Sequence, residues 1–108
     1  MKLLVTGNCG FIGQNFVRLY KDEYEIIGID KLSYASDKNA KKLCKTYVLD
    51  LAKDNIQKVF RKHKFDAIIH FAASSHVDKS IISPETFIYD NYVGTFKLLE
   101  IARKYDIK

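Results

Sequence analysis

The chain has 108 residues, 47% hydrophobic and 29% charged, with a net charge of +5. This is one globular domain's worth of chain with a modest core, too apolar for a disordered tail, and no run approaches the roughly 20 apolar residues that cross a bilayer. The apolar opening Leu3-Leu4-Val5 meets Thr6-Gly7 too soon to be a signal-peptide core, so a cytoplasmic protein is expected.

Lys2 to Thr6 is short, apolar and stops at Gly7, which predicts a buried parallel strand. From Phe11 the period changes. Phe11, Ile12, Phe16, Val17 and Leu19-Tyr20 recur at helical spacing and predict a helix to about Lys21. Tyr24 to Asp30 predicts a second strand, and the polar stretch from Lys31 to about Lys42 a loop with one helical turn near its end. Thr46 to Asp50 predicts a third strand. Asp54 is placed to cap a helix with the apolar stripe Ile56, Val59 and Phe60, closed by Arg61, Lys62, His63 and Lys64. Asp66 to Ala72 predicts a fourth strand. Ser83 as N-cap, Pro84 at the first helical position and Glu85 in the first turn then start a final helix to about Tyr105, with Ile88, Tyr92, Phe96 and Leu99 as its apolar stripe.

Strands alternating with helices imply an α/β fold: a doubly wound parallel sheet with right-handed crossovers, spatial order 3-2-1-4, and helices on both faces. There are no internal repeats or low-complexity tracts. The fourth strand is expected to be an apolar, unpaired edge, open to cover by an oligomer or partner, because a complete dinucleotide fold has a second half there.

Between the first strand and the first helix stands Gly7-Asn8-Cys9-Gly10-Phe11-Ile12-Gly13. In such a turn Gly7 takes a backbone shape barred to other residues, Gly10 lets a pyrophosphate approach the main chain, and Gly13 lets helix and strand pack closely. The free N–H groups at the helix start then face the phosphates, aided by the helix dipole. Spaced glycines alone are weak evidence. Here they follow a strand, open a helix, and lead to Asp30 at the tip of the second strand, 17 positions beyond Gly13. Its carboxylate suits the adenosine ribose hydroxyls and repels a 2′-phosphate, so NAD is the expected cofactor in a Rossmann-like fold. The alternative is a helix-packing turn beside an ordinary strand-end aspartate.

Cys9 and Cys44 have neither metal-ligand spacing nor a disulfide framework, and no His/Cys/Asp cluster suggests a metal. The basic residues are scattered, with a weak concentration at Lys38, Lys41, Lys42 and Lys45, and read as a solvated face; no aromatic-plus-basic constellation suggests nucleic acid.

Three stretches resemble the extended short-chain dehydrogenase/reductase family, and within it the dTDP-glucose 4,6-dehydratases. They are Val5 to Gly13, Asp30-Lys31-Leu32-Ser33-Tyr34-Ala35, similar to D-K-L-T-Y-A, and His70-Phe71-Ala72-Ala73-Ser74-Ser75-His76-Val77-Asp78-Lys79-Ser80, similar to H-F-A-A-E-S-H-V-D-R-S. Asn91 to Arg103 continues the likeness, which covers the whole chain. The resemblance implies that Gly7, Phe11 and Ile12 line the pyrophosphate, that Asp30, Lys31 and Ser33 surround the adenosine ribose, and that Asp50 and Leu51 hold the adenine. It further implies that Phe71, Ala72 and Ala73 pass towards the nicotinamide, that Ser75 lies near a nucleotide-sugar substrate, and that Asn91 steadies that end of the sheet. On the residues alone, Asp50 equally suits a strand end, Phe71 and Ala72 a core, and His76 a structural hydrogen bond. The departures are Ser36 for glycine, Ser74 for glutamate, Lys79 for arginine and Asp90 for threonine. A lysine offers a single point charge where arginine forks onto an anion.

By the same resemblance the reaction is a hidden redox cycle: hydride leaves C4 of the sugar for NAD, water is eliminated across C5 and C6, and hydride returns at C6. It uses a Tyr-x-x-x-Lys pair and an Asp-Glu pair. These are expected after a fifth strand, whereas this sequence runs to Lys108, so a partial NAD-binding domain without catalytic residues is expected. Tyr34 to Lys38 spells Tyr-x-x-x-Lys, but it follows the second strand at the adenosine end, away from hydride transfer. The alternatives are a non-catalytic module completed by a partner and part of a related nucleotide-sugar epimerase or decarboxylase.

Overall fold

A computed structural model describes residues 1–32, 36–72, 85 and 88–108, with the backbone alone described at 89 and 90. Strands β1 (Lys2–Thr6), β2 (Glu25–Asp30), β3 (Lys45–Val48) and β4 (Ala67–His70) form one sheet in the order β3-β2-β1-β4, all parallel. The order is the one expected from the sequence. Helix α1 (Phe11–Tyr20) connects β1 to β2, a 3₁₀ turn (Lys38–Lys42) precedes β3, and α2 (Gln57–Lys62) leads into β4. A widened π-helical stretch, Tyr89–Val93, runs into α3 (Gly94–Lys104).

Alternation along the strands divides the core into two layers, because successive side chains leave a strand on opposite faces. Leu3, Val5 and Ile26 pack against Val17 of α1. On the other face Leu4, Ile27 and Ile29 pack with Ile56, Val59, Phe60, Phe65 and Leu98, joining α2 and α3 to the sheet. Lys97 ties α3 to the turn after β3 by donating to the carbonyl of Ala52 at 2.9 Å. Each fully buried Val, Leu or Ile in these layers stabilises the fold by about 1.5–3 kcal/mol.

Several expectations are corrected. In α1, Val17 is buried but Phe11, Ile12 and Leu19 are exposed. In the final helix the predicted stripe Ile88, Tyr92, Phe96 and Leu99 faces outward, while Gly94 and Leu98 are buried and Ile101 packs on the core. Asp54 does not cap α2: its carboxylate accepts the Asp50 N–H at 2.6 Å, while Asn55 Oδ1 accepts the Gln57 N–H at 3.1 Å. Strand β3 ends at Val48 because Asp50 turns its own N–H and C=O onto Asp54 instead of the ladder. Among the described residues no further strand pairs with the outer edge of β4, which is met at one point, where the Lys108 carbonyl accepts the Ile68 N–H at 2.6 Å, with Ile107 packed on the core. The predicted N-cap Ser83 and Pro84 lie outside the described residues. Among the described residues no helix is long and apolar enough to cross a membrane, and no group of His, Cys, Asp and Glu is placed to hold a metal.

Candidate cofactor site

Parallel strands end together, so Thr6, Asp30, Val48 and His70 bring the following loops to one edge of the sheet. The strand order reverses at β1, which opens a crevice there. The glycine turn fills its floor. Gly7 has φ +69°, a left-handed backbone, and a Cβ there would approach Ala72 N to 2.7 Å. Its N–H donates to the Ile29 carbonyl at 2.8 Å, which binds the turn to β2. A Cβ on Gly13 would run into the Gly7 carbonyl oxygen. Gly7 and Gly13 are therefore demanded by the protein's own packing.

Gly10 is different. Among the described residues a Cβ there would meet nothing nearer than the Gly7 carbonyl oxygen at 3.4 Å, an ordinary contact, and the backbone is extended at φ −75° and ψ 173°. Gly10 is the N-cap of α1, with no side-chain cap and no acidic residue in the first turn. The Gly10 N–H is satisfied by the Gly7 carbonyl at 3.1 Å. The next amides, of Phe11, Ile12 and Gly13, begin a ten-residue helix whose positive end is not neutralised by its own side chains. The side chains of Phe11 and Ile12 stand 78% and 65% exposed beside that end.

Asp30 lies against the turn. It is 6% exposed, and its Oδ2 accepts the Cys9 N–H at 2.8 Å. Its Oδ1 accepts the Leu32 N–H at 2.7 Å and the Ser36 hydroxyl at 3.0 Å. Leu32 adopts a left-handed φ of 56°, unusual for a leucine, to present its N–H. The turn is held from below as well: Asn8, fully buried, donates through Nδ2 to Thr46 Oγ1 at 2.9 Å, with the Cys44 and Cys9 sulfurs at 3.7 and 3.8 Å. Its amide fills the slot left by the missing side chain of Gly28, where a Cβ would overlap it. Burial, with the nearby Asp30 charge, pushes the Cys9 thiol up to about 12, and burial also raises Cys44, so both are uncharged thiols at neutral pH.

Past β4, the Phe71 N–H donates to the Thr6 carbonyl at 3.0 Å and the Ala72 N–H to Thr6 Oγ1 at 3.3 Å. The Phe71 ring packs edge-on to Phe16, 5.7 Å between centroids. Thr6 Oγ1 is also 2.6 Å from His70 Nδ1, and His70 Nε2 is 2.8 Å from Thr95 Oγ1. Burial lowers the His70 pKa, so the ring is neutral at pH 7 and bridges β1 to α3. A polar Thr and His closing two apolar strands are the signals by which this bridge is visible in the sequence.

At β3, Asp50 Oδ1 accepts the Ala52 and Lys53 N–H groups at 2.9 and 3.3 Å, while Leu51 is buried in the core. Lys31 is half-buried next to Asp30, and Asn91 half-buried in the π-helical stretch. Ser33, Ala73 and Ser75 lie outside the described residues, as do Tyr34 of the Tyr34–Lys38 pattern, Ser74, His76 and Lys79. The structure thus brings Gly7, Gly10, Phe11, Ile12, Gly13 and Asp30 together at one end of the sheet, with Phe71 and Ala72 beside Gly7.

Comparison with known proteins agrees with this geometry. The dTDP-glucose 4,6-dehydratase of Salmonella typhimurium is 41% identical over 116 residues, covering 97% of this chain and 32% of the relative. That of Mycolicibacterium smegmatis is 36% identical over 120 residues, covering 100% and 34%. Among solved structures, the dTDP-glucose 4,6-dehydratase of Streptomyces venezuelae with NAD bound superposes with TM-score 0.85 at 36% identity, over 99% of this chain and 37% of that one. The UDP-glucose 4-epimerase of Thermus thermophilus, in complex with NAD, gives TM-score 0.89 at 30% identity, over 100% and 35%. The chain spans about a third of the length of the curated relatives it matches. Residues 3–108 match the NAD dependent epimerase/dehydratase family, and with the 3-2-1-4 sheet and the glycine turn in place the chain belongs to that family.

Proposed function

We propose that this chain binds NAD across the carboxyl ends of β1 and β2, as the cofactor-holding part of a dTDP-glucose 4,6-dehydratase-like protein. The observation that carries the reading is the 2.8 Å hydrogen bond from the Cys9 N–H to the Asp30 carboxylate, which makes glycine turn and acid one unit. The residues fit the cofactor: among the described residues the first amides of α1 have no acceptor and its first turn no acid, Gly10 leaves their approach clear, and Asp30 stands one strand over. In this reading the amides of Phe11, Ile12 and Gly13 take the diphosphate, and Asp30, flanked by Lys31 and Ser33, accepts from the adenosine ribose. Asp50 and Leu51 flank the adenine, and Phe71, Ala72 and Ala73 lead towards the nicotinamide, with Ser75 near the sugar substrate. A buried carboxylate beside the 2′ position disfavours a 2′-phosphate, hence NAD over NADP. Bound NAD supplies a hydride acceptor; the work of these residues is to orient it.

The runs Asp30 to Ala35 and His70 to Ser80, together with the higher identity to dehydratases, support a dehydratase-like partner chemistry over that of an epimerase. The bases and acids for that chemistry are not assigned within these 108 residues. Titration calorimetry tests the reading: NAD is expected to bind in the millimolar range, at least about tenfold more weakly to Asp30→Ala, with no keto-sugar formed from dTDP-glucose. A folded protein that releases no heat with millimolar NAD refutes it.

A further inference from the structure

The Asp30 carboxylate carries an inference that rests on the NAD reading and deepens it. An ionised carboxylate offers about four acceptor positions, two on each oxygen. Among the described residues Oδ1 already accepts from the Leu32 N–H at 2.7 Å and the Ser36 hydroxyl at 3.0 Å, and Oδ2 accepts from the Cys9 N–H at 2.8 Å. A ribose presents two neighbouring hydroxyls, each needing an acceptor. One finds the second position on Oδ2, which no described residue occupies. The other meets Oδ1, where both positions are taken.

The three donors differ in how they can yield. Cys9 is fixed in the glycine turn, with its carbonyl held by the Asp37 N–H at 2.8 Å. Leu32 is two residues along the backbone from Asp30, held in a left-handed conformation. Ser36 donates from a side chain, and rotation about one bond withdraws it.

We propose that Ser36 gates the ribose end of the site: its hydroxyl stands in for a ribose hydroxyl on Asp30 Oδ1 and turns away when a vicinal diol binds. Ser36 is thus an affinity-setting residue for ligands that engage Asp30 through both hydroxyls. A ligand without the diol does not compete with it.

The test is calorimetric titration of wild type, Ser36→Ala and Ser36→Gly with NAD, ADP and 2′,3′-dideoxy-ADP. Removing the hydroxyl is expected to tighten NAD and ADP by about threefold to tenfold, or about 0.7–1.4 kcal/mol at 1.4 kcal/mol per decade, and to leave dideoxy-ADP unchanged. A purely structural role for Ser36 would instead move the melting temperature and alter all three ligands alike. Equal or weaker NAD binding in both variants overturns the gate, as does an equal gain with dideoxy-ADP. If wild type binds NAD and the variants match it, only the gate falls; if no folded protein binds NAD, the cofactor reading falls with it.

Discussion

Gly10→Ala separates a ligand site from a packing device. The substitution adds one methyl at the N-cap of α1, where the extended backbone suits alanine and, among the described residues, the new Cβ meets only the Gly7 carbonyl oxygen at 3.4 Å. Alanine is a poorer N-cap than glycine by about 0.5 kcal/mol, and the smaller freedom of the unfolded chain offsets about as much. Stability should therefore change by less than about 1 kcal/mol. Binding should change far more. A phosphate oxygen accepting from the first amides of α1 must come within about 2.9 Å of them, and the methyl projects about 1.5 Å into that approach. Loss of one charge-assisted contact weakens binding by about 1.5–3 kcal/mol, roughly tenfold to a hundredfold in Kd. Calorimetry with NAD and a thermal melt on the same preparation read both quantities. An alanine variant that melts like wild type and binds NAD just as tightly would mean that no ligand passes over Gly10.

Two further outcomes concern the empty protein. Gly28→Ala should destabilise the fold by about 1–3 kcal/mol through overlap with Asn8, and Asn8→Gly in the same chain should recover part of that loss; denaturant unfolding of the single and double variants checks the coupling, and additive effects would refute it. Burial lowers the pKa of His63, with Lys2 and Lys45 adding to the effect, and burial also lowers that of His70, both from 6.5. The folded state therefore binds fewer protons than the unfolded chain. The stability these rings contribute is present above pH 6.5 and is lost as pH falls through the lowered values. The melting temperature should drop between about pH 7.5 and about pH 5.5, less so in a variant with both histidines replaced by glutamine. An unchanged slope in that variant would contradict the assignment.

The sheet order and the pairing of glycine turn with Asp30 are legible in the sequence because they rest on periodicity and on residue types with few alternative uses. The faces on which the helices pack are not. α1 packs through Gly13 and Val17, and α3 through Gly94, Leu98 and Ile101. A glycine adds nothing to a hydrophobic pattern, so attention goes to the larger residues Phe11 and Ile12 or Phe96 and Leu99, which are exposed. At these contacts the absence of a side chain selects the buried face. Asp54 misleads for a related reason: a carboxylate before a helix has two sets of N–H groups within reach, and here it turns back to Asp50. Ser36 stands out in the sequence only as a departure from glycine, and its meaning depends on the fold of the loop that brings it to Asp30.

One carboxylate, buried between two loops, answers to both of them. Whatever draws Asp30 towards a sugar changes its grip on the Cys9 amide, and whatever reshapes the glycine turn changes what Asp30 presents to the sugar. Thermodynamic reciprocity makes that influence equal in both directions. If a dinucleotide binds as proposed, its two halves are therefore not independent guests.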